Sequence, residues 1–178
     1  IDIFFPAANG KLPRPFVEAS TNGAQLHEVS PGHMSVRKAR AKELAAHDKL
    51  VVLEYGLAYD NIGVEETAQQ VENLPKDVNR IIVPVGSGHS LRGVAMGVER
   101  YYPADKLPLV IGVHVGNTPD IVYPSHVTLT PKMKGKFGDE RDAWVGRLKL
   151  DPVYEAHCSD FLVDEGDLLW NVAHRDTE

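Results

Sequence analysis

A glycine-rich turn in the middle of the chain has the residue types best suited to binding an anion. It consists of Gly86, Ser87, Gly88, His89 and Ser90. An apolar run typical of a buried strand precedes it, and a helical pattern follows directly. This order aims backbone N–H groups and the positive end of a helix dipole at one point, and glycines allow close approach of a ligand. The glycine turn (Gly86–Ser90) therefore predicts a phosphate-binding site, with an ordinary strand–turn–helix connection as the structural alternative.

Several histidines near predicted strand ends raise the question of a metal site. His114 ends a strand-like run, His89 lies in the glycine turn, and His157 lies farther along the chain. Parallel sheets gather such residues at the carboxyl ends of their strands. The chain has no H-x-H or HExxH spacing and a single cysteine, so we predict no metal site. That cysteine, Cys158, is expected to be structural, with a reactive thiolate beside His157 as the alternative.

The patterns around the glycine turn predict alternating strands and helices. Strands are expected at Ile1–Pro6, Gln25–Val29, Leu50–Glu54, Arg80–Val85, Leu109–Val115, Val127–Thr130 and Asp167–Val172. Helices are expected at Arg14–Asn22, Ser35–His47, Val64–Leu74 and Ser90–Tyr101, with a short one around Trp144. Because parallel strands need crossover helices, the fold class is α/β: a three-layer sandwich with a mostly parallel, Rossmann-like sheet. No linker divides the pattern, so we expect a single domain over residues 1–178.

The composition limits the class of protein. The 178 residues are 43% hydrophobic and 25% charged, as in a globular domain, and no apolar stretch approaches the roughly 20 residues of a membrane-spanning helix. A net charge of −6 argues against general nucleic-acid binding. One cysteine and no signal-peptide pattern predict a cytoplasmic protein.

Three segments resemble one enzyme family. IIVPVGSGHSLRGVAMGVERY, which contains the glycine turn, resembles the phosphate-binding segment of the fold-type II pyridoxal-phosphate enzymes, the tryptophan-synthase-β-like group. LDPVYEAH, at residues 150–157, resembles the LDPVY segment of the branch with aminocyclopropane-carboxylate deaminase and D-cysteine desulfhydrase. LVIGVHV, between them, resembles that branch's IGV strand. The resemblance is co-linear from about residue 20 to residue 172.

The resemblance implies roles for particular residues. The cofactor phosphate would be bound by Gly86, Ser87, Gly88, His89 and Ser90. Tyr154 falls where the family has a reactive-site tyrosine, and Glu155 where it has an acid facing the pyridine nitrogen, which strengthens the electron sink. His157 replaces a lysine after LDPVY and is expected near the reacting end. Lys11 follows Asn9-Gly10, and no lysine is recognisable as the family's Schiff-base lysine, so we expect a shortened relative without the usual covalent cofactor link.

Three functional hypotheses follow. The first is an enzyme that binds a phosphorylated small molecule, either pyridoxal phosphate or a phosphosugar or nucleotide, with lyase, deaminase or group-transfer chemistry at Tyr154, Glu155 and His157. The second is a non-catalytic phosphate-ligand-binding or regulatory module. The third is a nucleic-acid-modifying protein that uses a basic helix and a basic loop, around Arg37–Lys42 and Lys132–Lys136. A homo-oligomer or a partner subunit is compatible with each, and none requires a membrane.

Overall fold

The computed structural model describes residues 1–6, 12, 14–29, 34–48, 52, 62–115, 122–131 and 139–172. The chain divides into two compact units, Ile1–Leu53 and Glu54–Glu178. The expected single domain stays a prediction. Two other expectations, most of the strand at Leu50–Glu54 and the lysines of the basic loop, lie outside the described residues.

The first unit contains two parallel strands and two helices. Strand β1 (Asp2–Pro6) leads to helix α1 (Arg14–Thr21), and strand β2 (Gln25–Val29) leads to helix α2 (Met34–Asp48). The two strands pair in parallel, with Asp2 opposite Gln25. Gly23 takes a positive φ of 89° just after α1, a conformation that suits glycine at a helix end.

The basic helix predicted from the sequence is α2, and part of its charge is paired. Arg40 donates to Glu43 at 2.7 Å on the exposed surface. An exposed pair of this kind stabilises a helix by a few tenths of a kcal/mol. The nucleic-acid hypothesis that rests on this helix stays a prediction.

The second unit is built on a four-stranded parallel sheet. Helix α3 (Ile62–Gln70) continues into the 3₁₀ turn Val71–Asn73. Next come strand β3 (Arg80–Val85), helix α4 (His89–Tyr101), strand β4 (Leu109–His114) and strand β5 (Val127–Leu129). After them come the two-residue strands β6 (Trp144–Val145) and β7 (Leu148–Lys149), the 3₁₀ helix Glu155–Phe161 and strand β8 (Asp167–Leu169). The strand order in the sheet is β5-β4-β3-β8, and the central register places Val85 opposite His114.

Side chains of the central strands alternate between the two faces of this sheet. One face packs against α4, and its buried cluster includes Val83, Val85, Leu91, Val94, Val98 and Val110. The other face packs against the 3₁₀ helix Glu155–Phe161, and its buried cluster is Ile82, Val113, Val115 and Cys158. A sheet covered on both sides explains why β3 and β4 are almost uniformly apolar. The predicted α/β fold with a parallel sheet is confirmed.

One predicted element is wrong. Trp144 lies in a short antiparallel hairpin, where it pairs with Lys149, and not in a helix. Gly146 takes a positive φ of 59° between β6 and β7, as the tight turn of a two-residue hairpin loop requires. The Lys149 ammonium lies 5.7 Å from the centre of the Trp144 ring, which adds a cation–π contact across the pair.

Within the described parts of the chain, no helix has the length and apolar character needed to cross a membrane.

Candidate active site

The glycine turn lies at the carboxyl end of the sheet, between β3 and α4. Gly88 takes a positive φ of 88° and directly precedes the first helical residue, His89. The N–H of Arg92 donates to the Gly88 carbonyl at 3.0 Å, and this is the first helical hydrogen bond of α4. The N–H groups ahead of it belong to the part of a helix that has no intrahelical acceptors. The glycine turn therefore lies at the positive end of a 13-residue helix, where backbone N–H groups have no intrahelical acceptors and are suited to an anion.

Tyr154 lies against this turn. A methyl group built at Gly86 would be 3.0 Å from Tyr154 Cε1 and 3.4 Å from its hydroxyl oxygen. A side chain at position 86 would have to displace the Tyr154 ring by a few tenths of an ångström, so glycine there allows the phenol to lie close to the backbone. The two segments that the sequence singles out, with Gly86 and Tyr154 68 positions apart, thus meet at one edge of the sheet.

Asp151 holds the backbone that presents Tyr154. Its buried Oδ1 accepts hydrogen bonds from the N–H groups of Val153 and Tyr154, both at 2.9 Å, and its carbonyl accepts from Ala156 at 2.9 Å. An aspartate that bonds to backbone two or three residues ahead fixes a tight turn. No role was predicted for Asp151, although the Asp151-Pro152 pair is a recognisable turn signal.

Glu155 and His157 make hydrogen bonds with backbone groups that do not belong to the glycine turn. The fully buried Glu155 accepts the N–H of Val172 at Oε1, over 2.8 Å. The Nε2 of His157 lies 3.2 Å from the carbonyl oxygen of Asp139, so Nε2 is the protonated nitrogen in that contact. Both residues belong to the 3₁₀ helix, and their assignment to catalysis stays a prediction.

The described residues contain no group of three or more histidine, cysteine, aspartate or glutamate side chains that could hold a metal ion. His114, His89 and His157, which the sequence suggested could converge, form no such group.

Comparison with protein families gives one match over most of the chain. The family described as "Pyridoxal-phosphate dependent enzyme" matches residues 19–155. The chain belongs to this family. None of the curated proteins matches the sequence.

Comparison with solved structures shows the same fold in one protein and weaker similarity to two others. A crystal structure described as an ACC deaminase homologue superposes with a TM-score of 0.69 at 17% identity, over 93% of this chain and 63% of the other. Threonine deaminase isoform 2 from Solanum lycopersicum, in its processed form, has a TM-score of 0.45 at 21% identity, over 63% of this chain and 31% of its own. Maize serine racemase has a TM-score of 0.47 at 16% identity, over 64% of this chain and 33% of its own. The chain thus spans less than two thirds of each of these structures.

Cys158 of this pyridoxal-phosphate family member is a buried cysteine with a free thiol. It lies in the 3₁₀ helix and not on a strand, with its Sγ 3.9 Å from the carbonyl oxygen of Tyr154. Burial raises the pKa of the thiol far above its ordinary value, and the nearby Glu155 raises it further. Since the thiolate is the reactive form, we expect a structural cysteine and not a nucleophile.

Cys158 should therefore resist a thiol-reactive disulfide reagent in the folded protein at mildly alkaline pH. In concentrated urea, the same reagent should modify one thiol per chain rapidly, because the sequence has one cysteine. The rate of reagent consumption, measured with and without urea, checks this expectation. Fast reaction of the folded protein would show that the thiol is accessible and ionised.

Proposed function

We propose that this chain binds pyridoxal phosphate, or another phosphorylated small molecule, at the glycine turn and supports lyase, deaminase or group-transfer chemistry beside Tyr154. The observation that carries the proposal is the contact between Gly86 and the Tyr154 ring. It joins an anion-binding type of turn to a phenol that can hold or move a proton. Family membership supports the choice of cofactor.

The residues present fit the phosphate of this cofactor. Gly88 supplies the left-handed backbone that leads into α4, and the first N–H groups of α4 supply donors for an anion. Ser87 is exposed, while His89 and Ser90 are half-buried, so their side chains can add donors at the edge of the same site. Pyridoxal phosphate, when bound, supplies an electron sink for carbanion chemistry.

The chain's own residues would act around that group. The Tyr154 hydroxyl can accept or donate a proton beside Gly86, and Asp151 keeps this segment in place through two hydrogen bonds. Glu155 supplies a buried carboxylate, held at Oε1 by the Val172 N–H, for the role that the family resemblance gives it. His157 is the third proposed catalytic residue, and it would act from the next turn of the same 3₁₀ helix.

The experiment is a ligand-dependent thermal shift with a matched pair of variants. Pyridoxal phosphate at about 100 times its dissociation constant should stabilise the wild-type chain by about 2.7 kcal/mol. Gly88→Asp adds a negative charge at the anion site, so this stabilisation should disappear. Gly146→Asp is the control, since Gly146 also has a positive φ, 59°, and has no atom within 4 Å of an added methyl group.

The control variant should keep the wild-type response to pyridoxal phosphate. Equal responses of Gly88→Asp and the wild type would show that the ligand binds elsewhere. No response in the wild type would remove the proposed binding function altogether.

A second candidate function is a phosphate-ligand-binding module without chemistry. It is favoured by the scarcity of candidate lysines, since Lys11, in Asn9-Gly10-Lys11, is the one lysine of the printed sequence with the Ser/Asn-x-Lys spacing. Borohydride reduction of the loaded protein, followed by mass spectrometry, separates the two functions. A mass increase on one lysine indicates a covalent link and the enzyme, whereas reversible binding without any such increase indicates the module.

A further inference from the structure

His114 is a buried histidine at the carboxyl end of β4, and its ring has an unused nitrogen. The residue is 3% exposed, and its Nε2 atom has no hydrogen-bond partner among the described residues. Its backbone is well held, since its N–H donates to Thr130 Oγ1 at 3.0 Å. A buried polar group without a partner is rare in folded proteins and costs stability.

The strand pattern places this ring on the face of the sheet that α4 covers. Val110, four residues earlier on β4, packs in the cluster beneath α4. A methyl group built at Gly112 would be 2.6 Å from Leu91 Cδ2 of α4 and 3.0 Å from Val85 Cγ2 of β3. Since alternate residues of a strand face the same side, His114 projects to that side as well.

The position along the strand places the ring at the beginning of α4. His114 pairs with Val85, the residue directly before Gly86. It lies about 7 Å beyond Gly112 toward the carboxyl edge, because a strand rises about 3.3 Å per residue. Gly112 already faces Leu91, the third residue of α4, so the next position on this face lies at the level of the glycine turn.

We propose that His114 is an additional donor to the anion bound at the glycine turn and makes that site selective for phosphate monoesters. This inference rests on the proposed function. The backbone donors of α4 approach the anion from one side, and His114 Nε2–H would reach it from beneath the helix. A phosphate group offers three tetrahedral oxygens and can accept from both directions at once. A carboxylate offers two oxygens in one plane, so it matches this donor arrangement less well.

The test compares His114→Leu and His114→Gln with the wild type by isothermal titration. Leucine removes the donor, so affinity for pyridoxal phosphate should fall about 10- to 100-fold, as expected for a hydrogen bond to a charged group. Glutamine restores an N–H donor and should recover part of that affinity. Binding of pyridoxal, which lacks the phosphate, should be equal in all three proteins.

The stability of the ligand-free protein supplies a second readout. If His114 acted only in packing, His114→Leu would lower the melting temperature. The proposal predicts an unchanged or higher melting temperature, because an unpartnered polar group gives way to an apolar one. The stabilisation that inorganic phosphate gives to the wild type should be smaller in His114→Leu.

His126→Leu is the matched control. His126 also has a buried Nε2 without a partner among the described residues, but its carbonyl accepts from Val110 N–H, near the amino end of the sheet. This variant should bind pyridoxal phosphate like the wild type. If the wild type and His114→Leu bind with equal affinity, the inference about His114 is wrong and the proposed function stands. If the wild type does not bind, both fail.

Discussion

Replacing Gly97 with valine is expected to cost the protein roughly 3 kcal/mol of folding free energy. Gly97 lies on the side of α4 that packs against α3 and the 3₁₀ turn after it. A methyl group built there would be 2.5 Å from the Ala68 carbonyl oxygen and 2.6 Å from Val71 Cβ. Carbon atoms pack best at about 3.5–4.0 Å, and a backbone carbonyl cannot rotate away as a side chain does. The helices would have to separate, which would open the buried cluster beneath α4.

Glu99→Val is the control for this prediction. Glu99 is exposed on the same helix, so valine there changes helix propensity by roughly 0.5 kcal/mol and creates no clash. Urea unfolding midpoints, measured under identical conditions, compare the two variants. Equal unfolding midpoints for Gly97→Val and Glu99→Val would show that α3 and α4 can move apart enough to accept a side chain at little cost.

The contact between α3 and α4 could not be predicted from the sequence, whereas several single elements could. Strands β3 and β4 are apolar on both faces, and α4 begins at a glycine turn, so local pattern alone indicated each of them. At Gly93 and Gly97, α4 packs closely against α3 and the 3₁₀ turn after it, and only the tertiary structure reveals this neighbour. A methyl group at Gly93 would be 2.4 Å from Thr67 Cβ on α3.

The errors of sequence interpretation occurred where short segments depend on their neighbours. The pattern around Trp144 was compatible with a helix, yet the segment pairs with Leu148–Lys149 through Gly146. Likewise, His157 and Cys158 belong to a 3₁₀ helix for which no element was predicted. Two-residue strands and 3₁₀ turns have too few residues to show a period, so periodicity cannot identify them.

The candidate site was predicted in its parts but not in its geometry. Residue types indicated the glycine turn, and family resemblance indicated Tyr154, while their contact through Gly86 is visible only in three dimensions. The sequence likewise could not show that His114 Nε2 is buried without a hydrogen-bond partner among the described residues. Long-range pairs share this limitation, and the clearest example joins Arg80 to Asp167, 87 positions apart.

Replacing Asp167 with asparagine is expected to destabilise the protein by roughly 2 to 3 kcal/mol at neutral pH. The Asp167 side chain is 2% exposed and binds Arg80 through both oxygens, with Arg80 Nε 2.6 Å from Oδ1. Its Oδ2 also accepts the N–H groups of Val163, at 2.8 Å, and Asp164, at 2.9 Å. One carboxylate therefore ties β8 and the loop before it to β3, and asparagine cannot match its charge.

The dependence of the unfolding free energy on pH tests whether the ionised Asp167 carboxylate provides this stabilisation. The hydrogen bond from Arg80, supported by those backbone N–H groups, lowers the pKa of Asp167 from its ordinary value of 3.8 to about 2. A carboxyl group whose pKa is lower in the folded state stabilises that state fully at pH values above its pKa in the unfolded chain. This stabilisation is lost as the pH falls through the folded-state pKa of about 2. The difference in unfolding free energy between wild type and Asp167→Asn should therefore be constant above about pH 5 and shrink below it.

Asp164→Asn separates the buried ion pair from surface charge. Asp164 lies 3.2 Å from the same Arg80 guanidinium, but its side chain is 68% exposed. Exposed ion pairs contribute little, so this variant should lose no more than about 1 kcal/mol and keep the wild-type pH profile. Urea titrations at a series of pH values measure both. If Asp164→Asn and Asp167→Asn lost equal stability, the exposed and the buried carboxylate would contribute alike, and the burial of Asp167 would not be what holds β8 to the sheet.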